Sequence, residues 1–313
     1  MGVGGHFWTL MPKMADALAP ARAPVSEPWS VRLEDPSAGL ITLTGRLRRP
    51  KGARGLLIVV HGLGGSCQSP YARRAARAAQ AAGLACLRLN LRGADRRGDD
   101  FYHAALTKDL AAAIASDEAA GFGEIYVLGY SLGGHMALRY AALSPDRRLK
   151  AVAAVCAPLD LDACATSLDR PRVWPYRTYI LKGLLSIYEA VAVRRPVPIP
   201  AAEARRIRGI REWDRLIVAP RHGFAGAEDY YARASAGPHL GGLAVPALMV
   251  ASEEDPMVPA ASLQPFLKPA PSSLTVRWVR RGGHVGFPGA LNLGFPGSCG
   301  LEAQCLAFLR SRD

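Results

Sequence analysis

The sequence predicts an α/β fold with a mostly parallel, twisted sheet and helices on both faces. The first observation is a series of short apolar runs, such as "LLIVV" at 56–60, that suit strands buried on both faces. The second is that segments of helical length separate these runs, as right-handed crossovers between parallel strands require. The third is a stretch from about 159 to 243 that breaks this alternation and therefore predicts an insertion.

The predicted elements follow in order along the chain. Residues 29–49, "WSVRLEDPSAGLITLTGRLRR", alternate around a Pro-Ser-Ala-Gly turn and predict an antiparallel hairpin. Further strands are predicted at 56–60, 84–90, 124–129, 150–158, 245–252 and 274–279. Helices are predicted at about 71–82, 104–116, 132–143, 260–267 and 299–310, and Gly83 ends the first of them.

The insertion at about 159–243 is interpreted as a helical cap. Within it, four apolar residues recur at the spacing of one helix face: Ile180, Leu184, Ile187 and Val191. This spacing indicates burial only, so the alternative is that the stretch extends the core. Residues 28–313 then form one domain that contains the insertion, and residues 1–27 are predicted to be a loosely ordered N-terminal arm.

The composition bears on partners and compartment. The 313 residues carry a formal charge of +13, but the basic residues are mostly single or paired arginines without a nucleic-acid motif. We therefore expect no nucleic-acid partner, while weak association with a membrane surface stays open. The six cysteines lack zinc-ligand spacing and indicate reduced thiols. No segment approaches the ~18 apolar residues of a membrane span or resembles a signal peptide, so a cytoplasmic protein is expected.

A tight strand-to-helix turn is predicted around Ser131. Residues 129–133, "GYSLG", form the pattern G-x-S-x-G between a buried strand and a helix of small residues. A serine on such a turn takes strained backbone angles, and larger side chains two residues away on either side would collide with it. The strain exposes the hydroxyl, which predicts a catalytic nucleophile. The alternative is a serine that caps the following helix.

A serine hydroxyl needs a general base, and the base needs a carboxylate that orients it. His284 follows the last core strand, among glycines that let its loop fold back over the sheet edge, and is the preferred base ahead of His222. His135 lies on the helix after Ser131, cannot easily reach the hydroxyl, and has no assigned role. The candidate acids close two core strands: Asp255 with its neighbours Glu253 and Glu254, or Asp160 and Asp162.

Donors for an oxyanion are the third requirement of such a site. The segment 59–66, "VVHGLGGS", has glycines that let main-chain amides approach a substrate closely. We expect the amides of Leu63 and of Leu132, the residue after the serine, to be these donors. Taken alone, the loop could be a flexible turn or a phosphate loop, but it lacks the Walker A lysine and the G-x-G-x-x-G pattern.

The chain from about Trp29 onward resembles the α/β-hydrolase superfamily. Five segments carry the resemblance: "HGLGGS", "GYSLGG", "WDRLIVAPRHGFAGAEDYY", "EEDPMVP" and "GGHVGF". Together they look like the YheT-like, hydrolase-4-type branch of predicted esterases, in which related eukaryotic members act on ester bonds of acyl lipids. The resemblance implies the α/β-hydrolase fold. It also implies the chain order Ser131, Asp255, His284 for nucleophile, acid and base.

These residues predict a serine hydrolase of the carboxylesterase type that works through an acyl-enzyme, needs no cofactor or metal, and takes a small-molecule or lipid-like ester. Five aromatic residues predict an apolar pocket for short- to medium-chain acyl groups: Tyr130, Trp174, Trp213, Phe224 and Tyr230. Aromatic residues of this kind also pack a cap without touching substrate. Two rivals remain, an acyltransferase with the same triad and a binding protein of this fold without turnover.

Overall fold

The structure, a computed structural model, describes residues 3–20, 22–143 and 145–311. Within them, eight strands form one sheet: β1 (Glu27–Asp35), β2 (Gly39–Arg48), β3 (Gly55–Val60), β4 (Ala85–Leu89), β5 (Glu124–Tyr130), β6 (Leu149–Val155), β7 (Ala247–Ser252) and β8 (Leu274–Val279). They lie in the order β1-β2-β4-β3-β5-β6-β7-β8. The pairs β1–β2 and β2–β4 are antiparallel, and all other neighbours are parallel. The predicted hairpin and mostly parallel sheet are confirmed.

Helices cover both faces of this sheet. The α-helices in the described residues are α1 (Val3–Leu18), α2 (Pro70–Ala81), α3 (Thr107–Ala115), α4 (Asp117–Ala120), α5 (Leu132–Leu143), α6 (Leu161–Leu168), α7 (Trp174–Ala192), α8 (Ala201–Ala204), α9 (Ile210–Trp213), α10 (Ala219–His222), α11 (Ala227–Ala234), α12 (Ala260–Leu267) and α13 (Leu301–Arg310). Helices α2 and α13 pack with Leu57 and Val59, whereas α3 and α5 pack with Leu56 and Ile58. Neighbouring residues of β3 thus face opposite layers and are both buried, which explains the continuous apolar run. None of the described helices combines the length and apolar character that crossing a membrane requires.

The segment between β6 and β7 holds α6 to α11. The apolar face predicted for this segment is buried in α7: Ile180, Leu184, Ile187 and Val191. Between α9 and α10, Asp214–Val218 form a π-helical turn, an irregularity that often occurs at functional sites. Residues of this segment share a cavity with the loops that follow β3 and β5.

The N-terminal residues differ from the sequence prediction. Within the arm expected at 1–27, residues 3–18 form helix α1, while residues 1, 2 and 21 lie outside the described part of the chain. Helix α1 packs closely on the loop after β8, where a Cβ at Gly283 would come within 2.2 Å of the Gly5 carbonyl oxygen. This contact joins opposite ends of the chain, so no local sequence pattern indicates it.

A buried arginine joins the hairpin to the first half of the sheet. Arg92 is 1% exposed and donates to Asp35 of β1 at 3.0 Å, to Asp100 at 3.1 Å and to Asp109 of α3 at 2.6 Å. Arg221 of α10 also donates to Asp100, at 2.9 Å. The cluster therefore links the hairpin, α3 and the segment between β6 and β7. Its charges are tolerated inside the protein because each has a hydrogen-bonded counter-ion.

We expect Arg92→Met to lower the free energy of unfolding by about 3–5 kcal/mol, because buried carboxylates lose their counter-ion. Urea denaturation followed by circular dichroism measures this loss. The matched control is Arg205→Met, which removes an arginine that is 60% exposed and pairs with Glu189. Its cost should stay below about 1 kcal/mol. A similarly small loss in both variants would contradict the structural role of Arg92.

Candidate active site

The turn between β5 and α5 has the strained geometry predicted from its glycines. Ser131 has a φ of 52°, a left-handed conformation that few residues other than glycine adopt. A Cβ at Gly129 would lie 2.2 Å from the Gly133 carbonyl oxygen, and one at Gly133 would lie 2.3 Å from the Val60 carbonyl oxygen. The turn therefore closes only with glycine at both positions, and Ser131 faces the cavity.

The Ser131 hydroxyl lies in hydrogen-bond contact with His284. Its Oγ is 2.9 Å from Nε2 of His284, which is buried in the loop between β8 and α13. The other ring nitrogen, Nδ1, is 2.9 Å from Oδ2 and 3.2 Å from Oδ1 of Asp255. Because the Asp255 carboxylate accepts a hydrogen bond from Nδ1–H, the proton of the neutral ring is held on Nδ1, and Nε2 is free to accept the serine proton.

Asp255 follows β7 and is fixed in place by the backbone around it. Its Oδ1 accepts hydrogen bonds from the amides of Met257 at 2.8 Å and Val258 at 3.0 Å. The alternative acid Asp160 instead caps α6 through the amide of Ala163. Of the candidate acids, Asp255 is the one that the structure brings into contact with His284.

The remaining candidates lie elsewhere. Asp162 pairs with Arg211, and His222 packs against the ring of Phe101. Glu253 and Glu254 line a separate surface depression next to the start of α1. None of these four groups lines the cavity beside Ser131.

The loop after β3 presents its amides to the same cavity. The amide of Gly62 donates to the Tyr71 hydroxyl at 2.9 Å, and that of Gly64 donates to the Tyr102 hydroxyl at 2.7 Å. The amides of Leu63 and Leu132 have no hydrogen-bond partner within the described residues, and both residues line the cavity. The arrangement leaves these two N–H groups available to a substrate oxygen, as an oxyanion site requires.

His61 supports this loop from the interior. Its Nε2 accepts from the amide of Leu91 at 3.1 Å, so Nδ1 carries the proton and donates to the Gly62 carbonyl oxygen at 2.8 Å. Burial lowers the pKa of His61 to about 4, which keeps the ring neutral near pH 7. His61 therefore positions the loop backbone and does not serve as a base.

The cavity beside Ser131 has a volume of about 360 Å³ and a mainly apolar lining. Helices α6 and α7 and the loop after Asp255 supply much of that lining: Leu161, Ala165, Leu168, Ile180, Met257 and Val258. Helix α1 and the start of α2 supply a more polar part, which includes Thr9, Tyr71 and Arg74. The cavity can thus hold an apolar group on one set of residues and a polar group on another.

The five predicted pocket aromatics are placed differently by the structure. Tyr230 lines the cavity, and its hydroxyl accepts from the amide of Ala104. Tyr130 and Trp213 are buried in the core outside that lining. Trp174 is 59% exposed at the start of α7.

Phe224 packs against the ring of Tyr230 without reaching the cavity. Four of the five predicted contacts are therefore corrected. Within the segment between β6 and β7, the cavity lining combines aliphatic residues of α6 with Ile180 of α7 and with the rings of Tyr179, Tyr230 and Tyr231.

His135 ties α5 to the segment between β6 and β7. Its ring is fully buried, with Nδ1 at 2.8 Å from the Pro158 carbonyl oxygen and Nε2 at 2.9 Å from that of Ala234. Burial lowers its pKa to about 4 even though both carbonyls favour a protonated ring. Both ring nitrogens of His135 are thus engaged by carbonyl oxygens of the segment between β6 and β7, and neither is directed to the Ser131 hydroxyl.

A further carboxyl group, Asp214, lines the cavity from the π-helical turn. The Tyr231 hydroxyl donates to its Oδ2 at 2.8 Å. Burial raises the pKa of Asp214 to about 7, with nearby Asp169 adding to the rise and the Tyr231 hydrogen bond and Arg211 opposing it. Sequence reasoning missed this residue, because its place in the cavity depends on how the segment folds over the sheet.

Comparison with known proteins agrees with the fold. The family model described as "alpha/beta hydrolase fold" matches residues 55–184. The predicted esterase YheT of Escherichia coli is 32% identical over 297 residues, which cover 91% of this chain and 84% of YheT. An esterase structure from Pyrococcus furiosus superposes with a TM-score of 0.53 at 13% identity, over 83% of this chain and 85% of that one.

A yeast relative shares a shorter part of its own length. The medium-chain fatty acid ethyl ester synthase/esterase 2 of Saccharomyces cerevisiae is 25% identical over 263 residues. The match covers 74% of this chain but 58% of the yeast protein, so this chain spans less than two thirds of that relative.

The raised pKa of Asp214 makes stability depend on pH. The folded chain keeps a proton on this group up to about pH 7, whereas the unfolded chain releases it near its ordinary pKa of 3.8. The free energy of unfolding of the wild type, relative to that of Asp214→Asn, should therefore fall as pH rises from about 4 to about 7. Above pH 7 the difference should stay constant. Urea denaturation of both proteins across this range measures the difference, in which other titrating groups cancel.

Tyr231→Phe supplies the second arm of this experiment. It removes the hydrogen bond that lowers the pKa of Asp214, so the upper end of the pH-dependent window should move to higher pH. If the stability difference between wild type and Asp214→Asn does not change with pH, Asp214 does not titrate in this way.

Proposed function

The chain belongs to the α/β-hydrolase family, in its YheT-like branch, and on that premise we propose that it is a serine ester hydrolase. The observation that carries the proposal is the hydrogen-bonded series Ser131–His284–Asp255 beside a mainly apolar cavity. A serine hydroxyl becomes a nucleophile when an oriented neutral imidazole accepts its proton. A binding protein without turnover would have no use for this series or for the two unpaired amides.

Acylation begins when the ester carbonyl enters beside the amides of Leu63 and Leu132. The Ser131 Oγ bonds to the carbonyl carbon while its proton passes to Nε2 of His284. Asp255 stabilises the imidazolium through Nδ1, and the two amides stabilise the negative oxygen of the tetrahedral intermediate. The intermediate collapses as the carbon–oxygen bond to the alcohol breaks and the alcohol oxygen takes the proton from Nε2. An acyl group then remains on Ser131.

Deacylation repeats these steps with water in place of the serine. His284 accepts a proton from water as its oxygen attacks the acyl carbon, and the same two amides hold the second tetrahedral oxyanion. The bond to Ser131 breaks, Oγ recovers the proton from Nε2, and the carboxylic acid leaves. Each step uses groups of this chain and water.

The cavity supports acyl substrates of short to medium length. Its volume of about 360 Å³ lies at the lower end of the range that small-molecule sites occupy, roughly 300–1,000 Å³. The aliphatic surface of α6 and α7 suits an alkyl chain, since burying it there removes apolar area from water. The polar surface of α1 and α2 is then left for the alcohol part of the ester.

Acyl transfer to an alcohol is the second candidate function. It is favoured by the similarity to the yeast protein, whose name includes both ester synthesis and ester hydrolysis. The chemistry differs only in the molecule that attacks the acyl-enzyme, since an alcohol oxygen replaces the oxygen of water. The same residues would serve both reactions.

We expect a fluorophosphonate probe to label the wild type and not Ser131→Ala. His284→Ala and Ser131→Ala should lower kcat for p-nitrophenyl esters on the order of 10⁴-fold or more, because the nucleophile and base act as a unit. Ser262→Ala and His239→Asn, which change residues outside the cavity, serve as controls and should behave like wild type. Equal labelling of wild type and Ser131→Ala would refute the nucleophile.

The chain-length and acceptor preferences form a separate prediction. Among p-nitrophenyl esters from acetate to palmitate, kcat/KM should peak at short to medium chains and fall for palmitate, whose chain exceeds the cavity. Adding ethanol or glycerol and quantifying acid and ester products separates hydrolysis from transfer. If the ratio of new ester to free acid exceeds the ratio of alcohol to water in the assay, the protein is a transferase.

A further inference from the structure

Helix α1 packs directly on the loop that carries His284. A Cβ at Gly283 would meet the Thr9 Oγ1 at 2.4 Å, and one at Gly286 would lie 2.0 Å from the Trp8 carbonyl oxygen. The loop and the helix thus touch backbone to backbone on both sides of the histidine. Such close packing leaves no room for either segment to shift without the other.

The hydroxyl of Thr9 makes the central bond of this contact. Its Oγ1 accepts a hydrogen bond from the backbone amide of His284 at 2.8 Å and donates one to the Gly5 carbonyl oxygen at 2.7 Å. Thr9 is 4% exposed, so both bonds are shielded from water. Since the hydroxyl bonds its own helix and the histidine backbone, the position of α1 determines the position of the His284 main chain.

Helix α1 is in turn anchored at both ends. Near its start, His6 Nδ1 is 2.8 Å from the Tyr176 hydroxyl of α7, and the two rings stack with centroids 5.7 Å apart. Near its end, Asp16 forms an ion pair with Arg73 of α2. The helix therefore bridges α7 and α2 and crosses the His284 loop between these anchors.

The loop needs such support because its backbone is strained. Val285, directly after the histidine, has a φ of 54°, which is unfavourable for a β-branched residue. From the other side of the loop, Cys156 Sγ lies 3.6 Å from the Gly283 carbonyl oxygen and 3.4 Å from the Val285 amide nitrogen. Burial raises the pKa of the Cys156 thiol well above its usual value, so it stays a neutral contact.

We propose that Thr9 is a positioning residue that holds the His284 backbone where the imidazole spans Asp255 and Ser131. The proposal rests on the proposed serine hydrolase function. The imidazole makes two contacts of 2.9 Å in opposite directions, so a small shift of its backbone lengthens one of them. Catalytic groups must be held within about 0.5 Å of their productive positions. Thr9, together with Pro12 and Asp16, also lines the cavity, so α1 is a wall of the proposed alcohol side.

The test compares Thr9→Val, which keeps the shape and removes the hydroxyl, with Thr9→Ser, which keeps the hydroxyl. Thr9→Val should lower kcat for a p-nitrophenyl ester about 10- to 100-fold with KM within about twofold of wild type, because displacement affects the chemical step. Thr9→Ser should restore kcat to within about threefold of wild type. Circular dichroism confirms that each variant is folded.

A graded variant and a control complete the design. Thr9→Cys keeps a weaker acceptor and should give an intermediate kcat, and it replaces Thr9→Val in the comparison if the valine variant does not fold. Met14→Ala changes an exposed residue of the same helix and should leave kcat unchanged. A loss of kcat in Met14→Ala as large as that in Thr9→Val would indicate a general effect of disturbing α1 and would overturn the specific role of the hydroxyl.

The outcomes separate this inference from the proposed function. Thr9 does not position the base if Ser131→Ala and His284→Ala are inactive while Thr9→Val and Thr9→Ser both have the kcat of wild type. Where Thr9→Val does not fold, equal kcat values for Thr9→Cys and Thr9→Ser lead to the same conclusion. If Ser131→Ala still labels with the fluorophosphonate, the serine hydrolase proposal fails whatever the Thr9 variants do. A rise in KM at constant kcat would assign Thr9 to substrate binding alone and overturn the positioning role.

Discussion

The left-handed backbone of Ser131 is the constraint around which the rest of the site is arranged. A φ of 52° is unfavourable for serine, and the neighbouring strands hold it in place. The Ser131 amide donates to the Val155 carbonyl oxygen of β6 at 2.8 Å, while β3 lies on the other side with Val60 opposite Gly129. Parallel strands end at one edge, so the amide loop after β3 necessarily lies beside the serine.

A second strained point faces the first. Asp255 lies in the loop after β7, the neighbour of β6, and His284 lies in the loop after β8, the next strand. His284 contacts the Ser131 hydroxyl, and Asp255 contacts the other side of the His284 ring. The φ of 54° at Val285 shows that this approach also strains the backbone. Strain persists where surrounding contacts impose it, and here the contacts come from α1 above the loop and Cys156 below it.

The layers of the molecule are linked to each other by a few buried polar contacts. Arg92 binds the hairpin through Asp35 and α3 through Asp109, and it shares the Asp100 carboxylate with Arg221 of the segment between β6 and β7. His135 joins the same segment to α5, because its ring lies against the main-chain carbonyl oxygens of Pro158 and Ala234. Because α6, α7 and the π-helical turn line the cavity, these links also hold the cavity in its shape.

The sequence by itself determined the sheet and the turn at Ser131, because these depend on local apolar runs and glycine sterics, whereas the preference for Asp255 among the candidate acids came from the resemblance to the α/β-hydrolases. It did not determine the pocket lining, the place of Asp214, or the docking of α1 through Thr9. Four of five predicted pocket aromatics pack elsewhere for the same reason. These features arise from contacts between segments that are distant in the chain. The spacing of apolar residues along the chain indicates that a residue is buried, but it does not indicate which residues pack against it.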